Sequence, residues 1–377
     1  MRNNLVFILI IFVLLCTCKN NSKISHYGSE WSNNFQIRRG INISHWLSQN
    51  PDKSENRKQF FTKEDTEIIA RLGYDHVRIP VDEEHLWDEN GNRMESSFSM
   101  LQEGIGWCLD NDLKVIIDLH QIRSHTFNNQ NNLLWTSKPA QADFIQMWLS
   151  LSNEFSKYTV KDVAYELLNE AVADSSSQWN NLLKITIDSL RKYEPERKII
   201  IGSNRWQSPD TFDELIVPEN DSNIILSFHF YAPHAFTHYR APWMTSGIYT
   251  GDVKYPGQVV EKRDLIGYPD SIVKPLRESN GYYTKDTLQK IMKEPIRYAQ
   301  DHHLQLYCGE FGAMPTVRRG DRLAWYTDVR TIFEENNIAW SNWDYKGALF
   351  GIHYPNGQVD EYLVKALIPD NKPREQK

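Results

Sequence analysis

The chain predicts a single α/β domain folded as a (β/α)8 TIM barrel. Two patterns carry that reading. Short runs rich in β-branched residues alternate with longer amphipathic runs eight times between about residues 36 and 346, the rhythm of a repeated strand–helix unit. Several of the short runs are near-continuous apolar, as parallel strands covered on both faces must be. In addition, no GxGxxG follows the first run, which weighs against a doubly wound dinucleotide-binding sheet.

The strand candidates, in order, are QIRRGINIS, YDHVRIPV, LKVIIDLH, VAYELLNE, RKIIIGSN, NIILSFHFY, LQLYCGEFG and IAWSNWDYK. Helical patterns lie between most of them. FTKEDTEIIARLG opens on a Thr62 cap, carries acids in its first turn and stops at Gly73. MLQEGIGWCLDN sets Leu101, Ile105, Cys108 and Leu109 on one face. ADFIQMWLSLSNEFS, WNNLLKITIDSLRKY and LAWYTDVRTIFEEN repeat the theme. The longest irregular stretch, about residues 232 to 283, follows strand six and is rich in Pro, Gly and aromatics. A loop of that length in a compact domain is usually functional.

The barrel is expected over residues 35–370, preceded by two other segments. MRNNLVFILIIFVLLCTC, residues 1–18, has a short charged start and an apolar run too short for a comfortable membrane span, as a secretory signal does. It ends at cysteines in the manner of a lipoprotein signal, with Cys18 the expected site of lipid attachment and residues 19–34 a polar tether. The protein is then exported to the cell envelope, touching membrane only through its lipid, and is expected to be monomeric. The balance of 42 Lys and Arg against 49 Asp and Glu leaves −7, and no long basic run occurs, so nucleic acid is not an expected partner. Cys108 and Cys308 read as small buried hydrophobes rather than a disulfide framework.

The strand ends hold the chemistry. Catalytic faces of TIM barrels lie at the C-terminal ends of the strands. Here those ends offer Arg78, His120, Asn169 with Glu170, His229 with Tyr231, Glu310, and Trp343. One buried acid is commonly an ion-pair partner; a ring of polar groups on one face is hard to explain as structure. Glu170 and Glu310 come from strands four and seven. Two carboxyl groups facing each other across a barrel are the equipment of glycosidic bond cleavage, one protonated to donate and one ionised to attack.

RGINIS, HVRIP, IIDLHQ, ELLNEAV, SFHFYAP, GEFGA and SNWDY, in that order, resemble glycoside hydrolase family 5, the cellulase family, over about residues 36 to 346. The resemblance implies a retaining hydrolase of β-linked glucan, with endo-β-1,4-glucan cleavage the leading expectation. It implies Glu170 as general acid/base and Glu310 as nucleophile, with their carboxyl groups about 5 to 5.5 Å apart. Asn169 would bond the sugar 2-hydroxyl, Arg78 and Tyr231 would hold Glu310, and His229 would sit near Glu170. His120 would bind sugar hydroxyls and Trp343 would form a stacking floor. RGINISHWLSQ departs from the cellulase-like pattern after GxN, leaving the sugar open among exo-β-glucosidase, β-1,3-glucanase and mannanase readings. A non-catalytic glycan-binding lipoprotein is the rival of another class, and the presence of both glutamates weighs against it.

Other residues are weighed beside these. His45, Trp46 and Trp206 are candidate sugar contacts, as are Trp135 and Trp243, although each reads equally as core or loop anchor. His229, His234 and His238 lie within ten residues, but no familiar ligand pattern completes them, so no metal is expected and no cofactor is needed. His302 and His303 close a helix, where cations are favoured.

Overall fold

The computed structural model describes residues 35–370 except positions 130, 348 and 355. The expected signal, Cys18 and the tether lie outside the described residues. Eight parallel strands close into a barrel: β1 Arg39–Asn42, β2 His76–Asp82, β3 Lys114–Gln121, β4 Val163–Glu166, β5 Ile199–Gly202, β6 Ile224–Phe230, β7 Gln305–Phe311 and β8 Ala339–Asn342. Each coincides with one of the eight runs read from the sequence, β2 and β3 extending one residue beyond theirs, to Asp82 and Gln121. β1 pairs with β8 and β2, so no edge is left open.

Period-two alternation sorts each strand into two environments. Val77, Ile79, Val115, Ile117, Leu119, Val163 and Tyr165 face outward into the main hydrophobic core under the helices. Ile116, Ala164, Ile200, Ile225, Tyr307 and Ala339 instead pack together with Phe35 and Ile37. This second cluster takes one residue from each of six strands, as an interior layer does, and it seals the N-terminal end of the lumen. Two residues further up, the same alternation delivers Asp118, Glu166, Ser227 and Ser341, and β2 adds Arg78, level with Ile116, all buried. The lumen is thus apolar at its base and ionic above.

β7 breaks the alternation. Phe228 pairs with Cys308 and His229 with Glu310, so the register skips Gly309. That extra residue is a bulge, and it returns Glu310 to the lumen face that strict alternation from Tyr307 would deny it. Glycine suits 309, where a Cβ would crowd Ser227 Oγ at 3.0 Å and His229 Nε2 at 3.1 Å.

Two sequence expectations change. β4 ends at Glu166, so Asn169 and Glu170 stand in an irregular segment beyond the strand rather than at its tip. The segment still borrows sheet bonds, Leu167 N–H to Ile200 O at 3.2 Å and Asn169 N–H to Leu119 O at 3.1 Å. Between β5 and β6, where the sequence offers no helical pattern, the chain makes a short turn at Asn204–Gln207 and a 3-10 segment at Pro209–Glu214. The stretch after β6 is more ordered than its composition suggests, with a helix at Asp270–Glu278 and a two-residue ladder pairing Gly257–Gln258 with Tyr282–Tyr283. Buried Tyr249, Tyr255, Val259 and Val260 hold it down.

The first helix starts where the sequence indicates. Thr62 caps Lys63–Arg71, with Asp65 returning the bond in a capping box, and Gly73 at φ 90° turns the chain away.

Candidate active site

Arg78 is the hub. Its side chain is fully buried and its guanidinium spends its donors on four strands' worth of acceptors. Nε donates to Glu166 Oε2 at 2.7 Å, and one terminal nitrogen donates to Asn42 Oδ1 and Glu310 Oε1, each at 2.9 Å. The other reaches Asn169 Oδ1 at 2.9 Å and Asp118 Oδ2 at 3.0 Å. A planar, permanently charged fork suits such a place, where a lysine could not serve so many directions at once. Burial alone would disfavour its charge, but Asp118, Glu166 and Glu310 together hold its pKa well above the usual value.

The two candidate catalytic acids occupy unlike surroundings. Glu310 accepts from Arg78 on Oε1 and from the Tyr231 hydroxyl, at 2.9 Å, on Oε2. Both oxygens are therefore occupied as acceptors. Glu170 has no guanidinium partner; its Oε1 lies 2.9 Å from His229 Nδ1. Burial pushes the Glu170 carboxyl up to about 8, with Arg78 opposing and the charges of Asp118 and Glu166 adding to the rise. His229 Nδ1 also stands 3.6 Å from Glu310 Oε2. One oxygen of each glutamate and a His229 nitrogen all lie within 4.8 Å of one another.

The tautomer of His229 follows from its neighbours. Burial lowers its pKa to about 4, so the ring is neutral at pH 7. Nε2 is buried without a partner. An unmatched acceptor is the cheaper choice there, which places the proton on Nδ1, where it is donated to Glu170.

The third wall is His120 and Trp343. Their rings stack at 5.7 Å and 9°. Burial lowers the His120 pKa to about 3. Its Nδ1, 2.7 Å from Asp118 Oδ2, holds the proton, leaving Nε2 to accept from Gln49 at 3.2 Å. Trp343 packs with Ala241, Met314 and Phe350. Next to it Asp344 accepts from the Ser44 hydroxyl. His45, partly exposed, stands 3.7 Å from that carboxylate.

Arg78, His120, Asn169, Glu170, His229, Tyr231, Glu310 and Trp343 are thus brought together at one end of the lumen, with His45 at its rim. Trp46 is not part of it. Its ring is fully buried against Phe61 at 5.0 Å and under Gly104, where a Cβ would come within 2.5 Å. The apolar residue after β1 turns outward into the helix layer, so the sugar-contact expectation for Trp46 is corrected to core. Trp135 is core too, edge-on to His125 and Trp179. Trp206 is 44% exposed, and its indole N–H donates to Phe127 O at 2.9 Å. Trp243 is exposed beside Phe350 and His238. His234 and His238 lie ring to ring at 5.0 Å, while His229 points to the glutamates. The three histidines therefore do not converge.

Sequence reasoning missed Asn42, Asp118, Glu166 and Gln207. Asp118 and Glu166 carried a signal: each is an acid on the lumen side of an otherwise apolar strand, two residues before His120 and four before Glu170. Gln207 carried none. It reaches the site only because Arg205, Trp206 and Gln207 take positive φ of 57°, 63° and 52° in succession.

Comparison with known proteins agrees with this geometry. The pattern of the cellulase family, glycosyl hydrolase family 5, matches residues 34–348. Endoglucanase C of Acetivibrio thermocellus is 32% identical over 337 residues, spanning 88% of this chain and 98% of that protein. Cellodextrinase A of Ruminococcus flavefaciens is 28% identical, over 80% and 84% of the two chains. A crystal structure of cellulose synthase subunit Z from Clostridioides difficile superimposes with a TM-score of 0.71 at 26% identity, covering 88% of this chain and all of that one. A hyperthermophilic endo-β-1,4-glucanase solved with substrate reaches 0.73 at 22% identity, over 90% and 99%, a likeness of fold.

Proposed function

This chain, which belongs to glycosyl hydrolase family 5 and is a glycoside hydrolase, is one that we propose cleaves β-1,4-glucan internally, with retention of anomeric configuration. The observation that carries the reading is the unlike partnering of two glutamates that share one imidazole. In the first step a Glu310 oxygen attacks the anomeric carbon, the bond to the leaving sugar breaks, and Glu170 passes its proton to the departing oxygen. In the second, water gives a proton to Glu170 and its oxygen to the anomeric carbon, releasing Glu310. Asn169, fixed by Arg78, is placed to bond the 2-hydroxyl. His120 and Trp343 present a polar edge and an aromatic face to the same sugar.

The close approach of the carboxyl oxygens, within 4.8 Å, supports retention, because inverting sites leave about 6.5 to 9.5 Å for a water. The sequence relatives called endoglucanase support internal cleavage. The ordered segment after β6, whose His238 packs edge-on to Tyr231 at 5.1 Å, favours a second reading in which one end of the cleft is walled and short chains are cut. Reducing-sugar release from β-glucans, mannan and xyloglucan, with product sizes and the anomer formed first, tests both. Mixed oligomers of retained configuration from a β-1,4-glucan fit the first reading. A single short product fits the second, and an inverted anomer would remove the double-displacement mechanism.

We also propose export with lipid attachment at Cys18, supported by the apolar run before it. Incorporation of labelled fatty acid into the wild type and its loss in Cys18→Ser would bear this out; equal labelling would not.

A further inference from the structure

We propose that Gln207 is a positioning residue that fixes the proton donor. The inference rests on the reading of Glu170 as general acid/base. Glu170 has φ 45°, a left-handed conformation costly for a residue with a Cβ. Something must hold it there, and its backbone N–H donates to Gln207 Oε1 at 2.9 Å. The other end of the same amide, Nε2, donates to Ser227 Oγ at 2.9 Å and Glu166 Oε1 at 3.2 Å. A backbone donor on one side and an acceptor carboxylate on the other leave the amide one orientation that satisfies all three. Gln207 is fully buried.

The surrounding chain is shaped to deliver this side chain. Three left-handed residues in a row, Arg205 to Gln207, turn the backbone after β5 so that Gln207 points inward while Trp206 stays outside. Trp206 N–H donates to Ala171 O at 3.2 Å, tying the turn to the residue after Glu170. Gly202 leaves room, since a Cβ there would lie 2.3 Å from Gln207 Cγ. Strained backbone on both partners, joined by one amide, is the mark of a position held for geometry rather than for stability. Through Gln207 the segment bearing Glu170 is keyed to Glu166 and hence to Arg78 and Glu310, so that acid and nucleophile share one frame.

A pair of aryl β-cellobiosides separates the roles, a dinitrophenyl one that departs unaided and a phenyl one that needs a proton. Gln207→Met should lower kcat on the phenyl glycoside by about 10- to 100-fold, as a displaced general acid would, and change the dinitrophenyl rate by less than about threefold. Around Glu170 stand Arg78 from β2, Asp118 from β3, Glu166 from β4, His229 from β6 and Glu310 from β7. Released from its buried place among them, Glu170 should titrate nearer its ordinary value, moving the basic limb of the pH profile down. Gln207→Asn keeps the amide but is one methylene too short to reach both the Glu170 N–H and Glu166, so it should lower the phenyl rate more than the dinitrophenyl rate in the same way; it carries the comparison should the apolar variant not fold. Equal losses on both glycosides with an unmoved pH profile, or a phenyl rate untouched in Gln207→Met, would overturn the proposal. Glu170→Gln is run beside them. If it fails to show the leaving-group difference, the reading of Glu170 falls instead, whatever Gln207 does.

Discussion

His229 Nδ1 stands 2.9 Å from Glu170 Oε1. The same nitrogen is 3.6 Å from Glu310, so a neutral imidazole stands between the proposed proton donor and the proposed nucleophile. That arrangement makes the two glutamates unequal, and their replacement should have unequal effects.

Glu170→Gln should fold normally and lose turnover on unactivated substrates by about 10²- to 10⁴-fold, the usual worth of a general acid. Glycosides with good leaving groups should still form the intermediate, visible as a burst of released phenol. A mutant with full rate on polymer would sink the assignment.

Glu310→Ala should leave no measurable turnover on any glycoside, good leaving group or not, because no group remains to form the covalent bond. Its melting temperature should stay near that of the wild type, since Arg78 retains Glu166 and Asp118. Surviving activity would place the nucleophile elsewhere.

The pH dependence follows from Glu170. Its carboxyl is neutral below about 8 and charged above, so kcat/KM should fall as pH rises through about 8. Stability carries the same sign. Folding raises this pKa above the ordinary 4.5, so the contribution of the protonated group is fully present below pH 4.5 and is lost as pH rises through 8. Glu170→Gln has no such loss. Its melting temperature relative to wild type should rise between pH 5 and pH 9; a constant difference would contradict the raised pKa.

Arg78→Met should unfold at lower denaturant, by about 3 to 5 kcal/mol, because it strands buried carboxylates that shared one cation. The loss should shrink as pH is lowered and those acids protonate. Chemical denaturation at two pH values reads both.

Trp46→Ala should cost about 3 to 5 kcal/mol of stability as a core cavity does, with KM on polymer unchanged. A raised KM at intact stability would restore Trp46 to the sugar site.

Much of this was legible in the chain. Parallel strands sheathed on both sides must be apolar and β-branched, so all eight announced themselves, and acids or histidines closing such runs marked Glu170, His229 and Glu310. Capping chemistry is equally local, which is why Thr62 and Gly73 bounded their helix correctly. The errors fall where one residue can turn either way. Trp46 follows β1 with an aromatic ring that suits sugar or core alike, and packing against Phe61 and Gly104 decided for core.

What the sequence by itself determined is therefore the set of strands, their order and the polar groups near their ends, because burial and period-two geometry act on neighbours along the chain. What only the tertiary structure decided is which of those groups meet. A bulge at Gly309 turns Glu310 inward, three left-handed residues carry Gln207 beneath Glu170, and barrel closure sets Arg78 against a glutamate 232 positions away. Those outcomes depend on contacts between strands, and a one-residue change of register reverses the face of every side chain beyond it.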